Sequence, residues 1–237
     1  MEKVFHSAES RGHANLGWLD ANYSFSFASY FNPKRMNFGA LRVLNDDTIS
    51  PGKGFGTHPH DNMEIITIPL KGALEHKDSM GNIGAINEGE IQVMSAGTGV
   101  YHSEYNKNSD EDVNLLQLWI KPKKRDVNPR YDQLSIKGLK KKNSFYQVLS
   151  PYPEDDGVWI NQNAWSHIGD FKELTSTNYV LKQKGNGVYV FVIEGVFKVE
   201  NQILSRRDAL GIWNTNKISF EAQSKSQVLL VEVPMKI

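Results

Sequence analysis

Apolar positions in this chain come in short bursts rather than in long periodic stretches. The runs "SFSFASYF", "FGALRVL", "MEIITIPL", "LLQLWI", "VYVFVIEG" and "VLLVEV" are rich in Val, Ile, Phe and Tyr, and Gly, Asn and Asp separate them. Short runs of β-formers bounded by turn residues predict strands joined by tight turns. Helical periodicity is hard to find anywhere along the sequence. The pattern therefore predicts an all-β protein built as sandwich or barrel.

The pattern also repeats. Residues 64–94, "EIITIPLKGALEHKDSMGNIGAINEGEIQVM", are echoed by residues 187–212, "GVYVFVIEGVFKVENQILSRRDALGI". Each copy reads as an apolar strand, a turn at Lys71-Gly72 or Glu194-Gly195, a second strand, a hairpin, and a strand entered through Gly89-Glu90 or Arg207-Asp208. A repeat displaced by about half the chain predicts two β-domains of one design. We place the first at residues 1–122, the second at 151–237, and a linker at 123–150.

Charge narrows the choice of partner. Lys and Arg together number 27, as do Asp and Glu, so the formal net charge is zero. A balanced chain lacks the electrostatic footprint of a nucleic-acid or anionic-membrane binder. The segment from Lys121 to Lys142 carries nine basic residues against two acids, and we read it as a solvated linker rather than a nucleic-acid contact. The most apolar run, "GVYVFVIEGVF", is far short of the ~20 residues that span a bilayer, and the start "MEKVFHSAES" has no signal-like apolar core. The expected compartment is the cytoplasm. The chain has no cysteine, so disulfides, thiolate ligands and a cysteine nucleophile are excluded, and any metal must be held by nitrogen and oxygen.

Two of the seven histidines flank a proline in "GTHPHDNMEI", where His58 and His60 would share one side of an extended strand. In "TGVYHSEYN", His102 and Glu104 repeat the same spacing after a glycine-punctuated turn. Two such pairs on neighbouring strands can close three nitrogens and one carboxylate around a single ion, with bonds of about 2.0–2.2 Å. The remaining histidines, His6, His13, His76 and His167, lack a partner at a useful spacing, so their default is a surface role or support of a neighbouring ligand.

The cluster "GKGFGTHPHDNMEIITIPLKG" resembles the first motif of the cupin superfamily. Together with "GWLDANYSFSFASYFNP", "EGEIQVMSAGTGVYHSE" and "LLQLWIKPKKRDVNPRYDQ", it is similar to the pirin family, and "LLVEVP" near the end fits that family's second barrel. The resemblance implies two cupin-type β-barrels, of the double-stranded β-helix or jelly-roll kind, arranged as a bicupin. It implies one metal, usually iron, on His58, His60, His102 and Glu104. Glu64 stands where many other cupins take their carboxylate, and the pirin pattern makes it a supporting or structural group. Setting Gly195 against Gly72 places Leu181 and Gln183 where His58 and His60 stand, so the second barrel is expected to hold no metal.

Three imidazoles and a carboxylate leave two positions of an octahedral ion open, and the ligand types do not choose among Fe(II), Mn, Co, Ni, Cu and Zn. Iron is the expectation from resemblance. The resemblance further implies a dioxygenase of the quercetin 2,3-dioxygenase type, acting on a small aromatic, flavonol-like substrate with O2. Glu104 would then be a proton acceptor as well as a ligand, and Phe55, Met63, Met94 and Trp119 are candidates for an apolar pocket wall. Two alternatives remain at this point: an iron-bearing regulatory or adaptor protein with a protein partner, and a sensing or detoxifying protein with an unrelated natural substrate.

Overall fold

The computed structural model describes residues 1–236. Among these the regular elements are 22 strands and two single turns of 3-10 helix, as the alternating pattern predicts. No helix among the described residues is long and apolar enough to cross a membrane.

The front barrel is assembled from β2 to β12, while the first strand, β1 (Glu2–His6), crosses to the rear one. Strands β2 (Gly12–Asn15), β3 (Leu19–Tyr23) and β4 (Leu41–Ile49) lead to β5 (Gly54–His60), β6 (Glu64–Lys71), β7 (Ala73–Asp78) and β8 (Ile83–Asn87). They are followed by β9 (Glu90–Ser95), β10 (Val100–Asn106), β11 (Val113–Ile120) and β12 (Arg130–Ser135). A seven-stranded sheet in the order β12-β9-β6-β11-β4-β3-β2 faces a four-stranded sheet in the order β5-β10-β7-β8.

The rear barrel repeats this plan. Its strands are β13 (Phe145–Ser150), β14 (Val158–Trp159), β15 (Trp165–Phe171), β16 (Ser176–Val180), β17 (Asn186–Glu194) and β18 (Phe197–Val199). β19 (Gln202–Leu204), β20 (Ala209–Trp213), β21 (Lys217–Ala222) and β22 (Ser226–Pro234) complete it. The large sheet runs β1-β20-β17-β22-β15-β13-β14 and the small one β16-β21-β18-β19. The repeat seen in the sequence is a repeat of topology, and the equivalent turns carry Gly72 and Gly195 with φ of 77° and 85°. At that backbone angle glycine has no Cβ to clash, which is why both copies spend one there.

The strands do not change sheets at residues 122 and 150. β1 pairs with β20, covering an edge of the rear sheet that would otherwise present unpaired backbone groups. Within the segment read as a linker, β12 pairs with β9 of the front barrel and β13 with β15 of the rear one. Of the segment's nine basic residues only Arg130 lies on β12, a half-exposed edge strand whose polar side chains hide its strand signal, and the other eight lie in the connections on either side.

The large sheets of the two barrels share one apolar core, in which Phe25, Leu44, Ile66 and Leu116 from the front meet Tyr189, Phe191, Ile193 and Val231 from the rear. Asp46 adds a buried charge cluster at this junction. Its Oδ2 accepts from Arg11 Nη1 at 3.2 Å and lies 2.9 Å from Arg207 Nε, the latter off the line of an ideal hydrogen bond. β4 thus presents Asp46 to the junction and its neighbours Asn45 and Asp47 to the front barrel's interior.

Candidate metal centre

The interior of the front barrel opens as a cavity of about 450 Å³ between the two sheets. β5 and β10 lie side by side along it, with His58 opposite His102 and His60 opposite Val100. The register then slips, because Glu104 faces Phe55, so β5 holds one more residue than β10 between these two pairs. This β-bulge bends the strand and re-aims its side chains. It also turns the Gly56 carbonyl under the His58 ring, where Nδ1 donates to it at 2.7 Å. With Nδ1 holding the proton, the lone pair of His58 is on Nε2. The strands approach so closely here that a Cβ on Gly54 would fall 2.1 Å from the Glu104 carbonyl oxygen, which restricts the position to glycine.

The three imidazoles converge. Ring centroids of His58 and His102 are 4.4 Å apart, and each is 4.9 Å from His60. One ring nitrogen from each of the three lies within 4.8 Å of the others, a spacing that a single cation can bridge. Burial, together with the neighbouring imidazoles, pushes His102 down to about 3 and His60 to about 4, so both are neutral and offer lone pairs at neutral pH. His102 Nε2 is sealed from solvent and has no hydrogen-bond partner among the described residues. Leaving such an atom unpaired is costly, and a metal ion is the partner that this histidine-rich neighbourhood accommodates. The residues present fit a metal.

Glu104 is positioned differently. It comes together with His76 and His102 rather than with all three pocket imidazoles. Gln117 Nε2 donates to both of its oxygens, at 3.2 and 3.0 Å. The amide of Gln117 is itself oriented, since the Trp119 indole, which can only donate, gives its hydrogen to Gln117 Oε1 at 3.2 Å. Trp119 also stands edge-on to His60, with centroids 4.8 Å apart, so one side chain braces both a histidine and the group that holds the carboxylate.

His76 is no surface residue. It is fully buried, its Nε2 lies 3.1 Å from Asp78 Oδ2, and its Nδ1 lies 3.5 Å from His102 Nδ1. Its partner is legible in "EHKD", a His and Asp two residues apart on a strand, so the expectation that His76 lacks a partner at a useful spacing does not hold. His6 and His167 are buried as well, whereas His13 is exposed.

Glu64 is kept from the cavity. Its oxygens accept from Ser95 Oγ at 2.6 Å and from Asn161 Nδ2 at 3.2 Å, tying the front barrel to the rear, and burial raises its carboxyl above the ordinary range. Of the expected pocket walls, Phe55 and Trp119 line the cavity, while Met63 and Met94 pack with Ile65 and Val100 in a separate small core. Sequence reasoning missed Trp18, Tyr23, Phe27, Asn45, Asp47 and Gln117, which also line it. "NDD" inside an apolar nine-residue strand and the lone Gln of "LLQLWI" were the available signals.

Among the described residues the rear barrel has no such centre, although the equivalences drawn from the sequence need a correction. Tyr179 faces Ile218 as His58 faces His102, Leu181 bonds to Asn216 where His60 faces Val100, and Phe220 faces Val199 as Glu104 faces His76. The counterparts of His58 and His60 are therefore Tyr179 and Leu181, not Leu181 and Gln183. The cause is a longer connection: residues 181–185 join β16 to β17, where only 61–63 join β5 to β6. Tyr179, Val199, Ile218 and Phe220 fill the space with an apolar core, against which Leu181 packs.

Two barrels of paired sheets, one carrying a three-imidazole centre and one filled, define a bicupin. Residues 4–120 match the family described as Pirin, and residues 147–233 match the Quercetinase C-terminal cupin domain. The chain belongs to the pirin family. It is 43% identical over 231 residues to the quercetin 2,3-dioxygenase of Escherichia coli strain K12, with 96% of each chain covered. It is 38% identical to a pirin-like protein of Caulobacter vibrioides, covering 93% of this chain and 95% of that one. The crystal structure of the bacterial pirin YhhW from Escherichia coli in complex with nickel(II) superposes with a TM-score of 0.93 at 40% identity, covering all of both chains.

Proposed function

We propose that the chain is a metal-dependent dioxygenase of the quercetin 2,3-dioxygenase type, with His58, His60, His102 and Glu104 holding the metal and Fe(II) as the resident ion. The observation that carries this reading is the unpartnered, buried His102 Nε2 among three converging imidazoles, at the wall of a cavity ringed by aromatic side chains. When bound, the metal supplies Lewis acidity to an enol oxygen and a path for electrons between an electron-rich ring and O2.

The chain's own residues set up the rest. Trp18 and Phe55 meet edge to face at 5.3 Å, as do Phe27 and Trp119 at 5.2 Å, and these rings offer apolar walls to a flat substrate while excluding water. Glu104, held by Gln117, is placed to take the proton that the substrate's hydroxyl gives up on binding. In this reading the same carboxylate, which lies beside His102, serves as ligand and base. The aromatic-lined cavity favours this over an adaptor role, for which a pocket beside the imidazoles has no use. The names of the Escherichia coli and other relatives support it too.

The test combines elemental analysis of protein purified without added metal with anaerobic loading of single ions, followed by oxygen uptake in the presence of quercetin. Stoichiometric oxygen consumption that tracks iron content is the expected result. Metal-loaded protein that binds no flavonol and consumes no oxygen would remove the reading.

A further inference from the structure

The cavity has a second polar region that neither the imidazoles nor Glu104 uses. β11 presents Gln117 and Leu115 in succession, and on β4 Asn45 stands opposite Gln117 while Asp47 stands opposite Leu115. On the other side of β4, Tyr23 faces Asn45 and Ala21 faces Asp47. Asn45, Asp47, Tyr23 and Ala21 all line the cavity. Going from Trp119, which packs on His60, past Gln117, which holds Glu104, the wall reaches Asp47 one cross-strand pair further on.

Both β4 side chains are at odds with their surroundings. Asn45 is 1% exposed and Asp47 is 5% exposed, and the Oδ1 atom of each is sealed from solvent without a hydrogen-bond partner among the described residues. Around them are Leu19, Ala21, Ile49, Val113 and Leu115. Two adjacent unpaired polar groups in one apolar wall destabilise the free protein, and groups of this kind are kept where a ligand completes them.

We propose that Asp47 and Asn45 form a hydrogen-bonding anchor that receives a hydroxyl group of the bound aromatic molecule, at the end of the cavity beyond Gln117. The inference rests on the substrate-binding reading of the same cavity and adds a requirement to it: the ligand carries a second polar substituent besides the oxygen that meets the metal. A phenolic hydroxyl suits the anchor, because it donates and accepts at once. Burial, reinforced by Asp46, Glu104 and Asp20, holds the Asp47 carboxyl well above the ordinary carboxylate range, a shift towards the protonated form that donates as well as accepts. An anionic substituent at this end would find no cation among the lining residues.

The experiment compares two flavonols that share the same enol and carbonyl oxygens. Quercetin carries further hydroxyls on its rings, and 3-hydroxyflavone carries none. Affinities are measured anaerobically on protein loaded with nickel(II), so that no turnover intervenes. Wild type is expected to bind quercetin about tenfold or more tightly than 3-hydroxyflavone, the value of one or two good hydrogen bonds. Asp47→Leu should bring the two affinities to within about twofold by weakening quercetin alone, with metal content unchanged and the melting temperature raised. Asp47→Asn, which keeps a donor and an acceptor in place, should retain most of the preference. Asn45→Leu examines the same anchor independently should Asp47→Leu fail to fold. A quercetin preference that survives both leucine variants, or a lowered melting temperature with the preference intact, overturns the anchor and leaves the flavonol reading standing. Wild type that binds neither compound overturns both.

Discussion

His76 stands between Asp78 and His102, with its Nε2 3.1 Å from Asp78 Oδ2 and its Nδ1 3.5 Å from His102 Nδ1. Asp78 is anchored in turn by the backbone N–H groups of Met80 and Asn82 at 2.9 and 3.0 Å. Although burial works the other way, hydrogen bonds from Asn82 and His76 hold its carboxyl below the ordinary range. The chain of partners fixes tautomers one after another. Asp78 accepts from His76 Nε2, His76 Nδ1 is left to accept, His102 Nδ1 donates to it, and His102 Nε2 keeps its lone pair.

This relay makes a prediction for two residues outside the proposed ligand set. His76→Phe, or Asp78→Asn, should weaken metal binding by about 10- to 100-fold while leaving the three pocket imidazoles in place. Competition with a chelator measures it. Unchanged affinity in both variants would mean that His102 needs no orientation from behind.

Glu104 and the imidazoles separate in a second prediction. His58→Ala removes one of three converging nitrogens and should abolish metal loading with little change in the fold, since His58 is only half-buried. Glu104→Gln keeps the three nitrogens and should keep much of the metal, yet lose turnover by about 10²- to 10⁴-fold if the carboxyl moves a proton. Equal fractional losses of metal and turnover in the second variant would show that Glu104 is a ligand and nothing more.

The contrast between these residues explains what was legible in the chain. His58 and His60, and His102 with Glu104, announce themselves because metal-ligating side chains at i, i+2 spacing are uncommon and a strand turns that spacing into one face. The two-barrel plan was legible because its turns need glycine at Gly72 and Gly195. Asp47 and Gln117 were not, because their meaning depends on strands that pair far along the sequence: Gln117 meets Glu104 only when β11 and β10 lie across the cavity. β1 and β12 were misplaced for a related reason, since edge strands carry little alternation, and whether they close the front or the rear barrel is set by pairing rather than by local pattern. The register of the rear barrel slipped by the two extra residues between β16 and β17, a difference that matching glycines alone does not reveal.

A buried, hydrogen-bonded carboxyl organises the connection between β16 and β17 in the rear barrel. Glu232 faces Val188 as Trp119 faces Ile65, and it is fully buried. It accepts from Tyr179 Oη at 2.8 Å, Lys182 N at 2.9 Å, Gln183 N at 3.0 Å and Asn186 Nδ2 at 2.9 Å, pinning the long connection that replaces the His60 region. Glu232→Leu strands four donors at once and should cost about 3 kcal/mol or more. Urea unfolding should show the loss, and metal content per folded molecule should stay at the wild-type level. A fall in metal content without a fall in stability would place the rear barrel's influence at the metal centre instead.

Acid sensitivity should come from histidines that hold no metal. His6, at the end of β1, meets Tyr189 Oη through Nδ1 at 2.9 Å and packs against Phe25 and Tyr189 at the junction of the barrels. Burial, with a smaller contribution from Arg35, pushes it down to about 4, whereas in the unfolded chain it titrates at the ordinary value of 6.5. Below pH 6.5 the unfolded chain therefore binds a proton that the folded protein refuses. Stability is fully present above the unfolded value and is lost as pH falls through the window down to about 4. Between pH 7 and pH 5 this single group should cost about 2 kcal/mol. His6→Asn keeps a side-chain acceptor near Tyr189 and removes the titration, so subtracting its urea unfolding curve from that of wild type cancels the contributions of His60, His102 and His167. Wild type should lose more stability than the variant over that interval, and parallel losses would mean that His6 takes up its proton without leaving the junction.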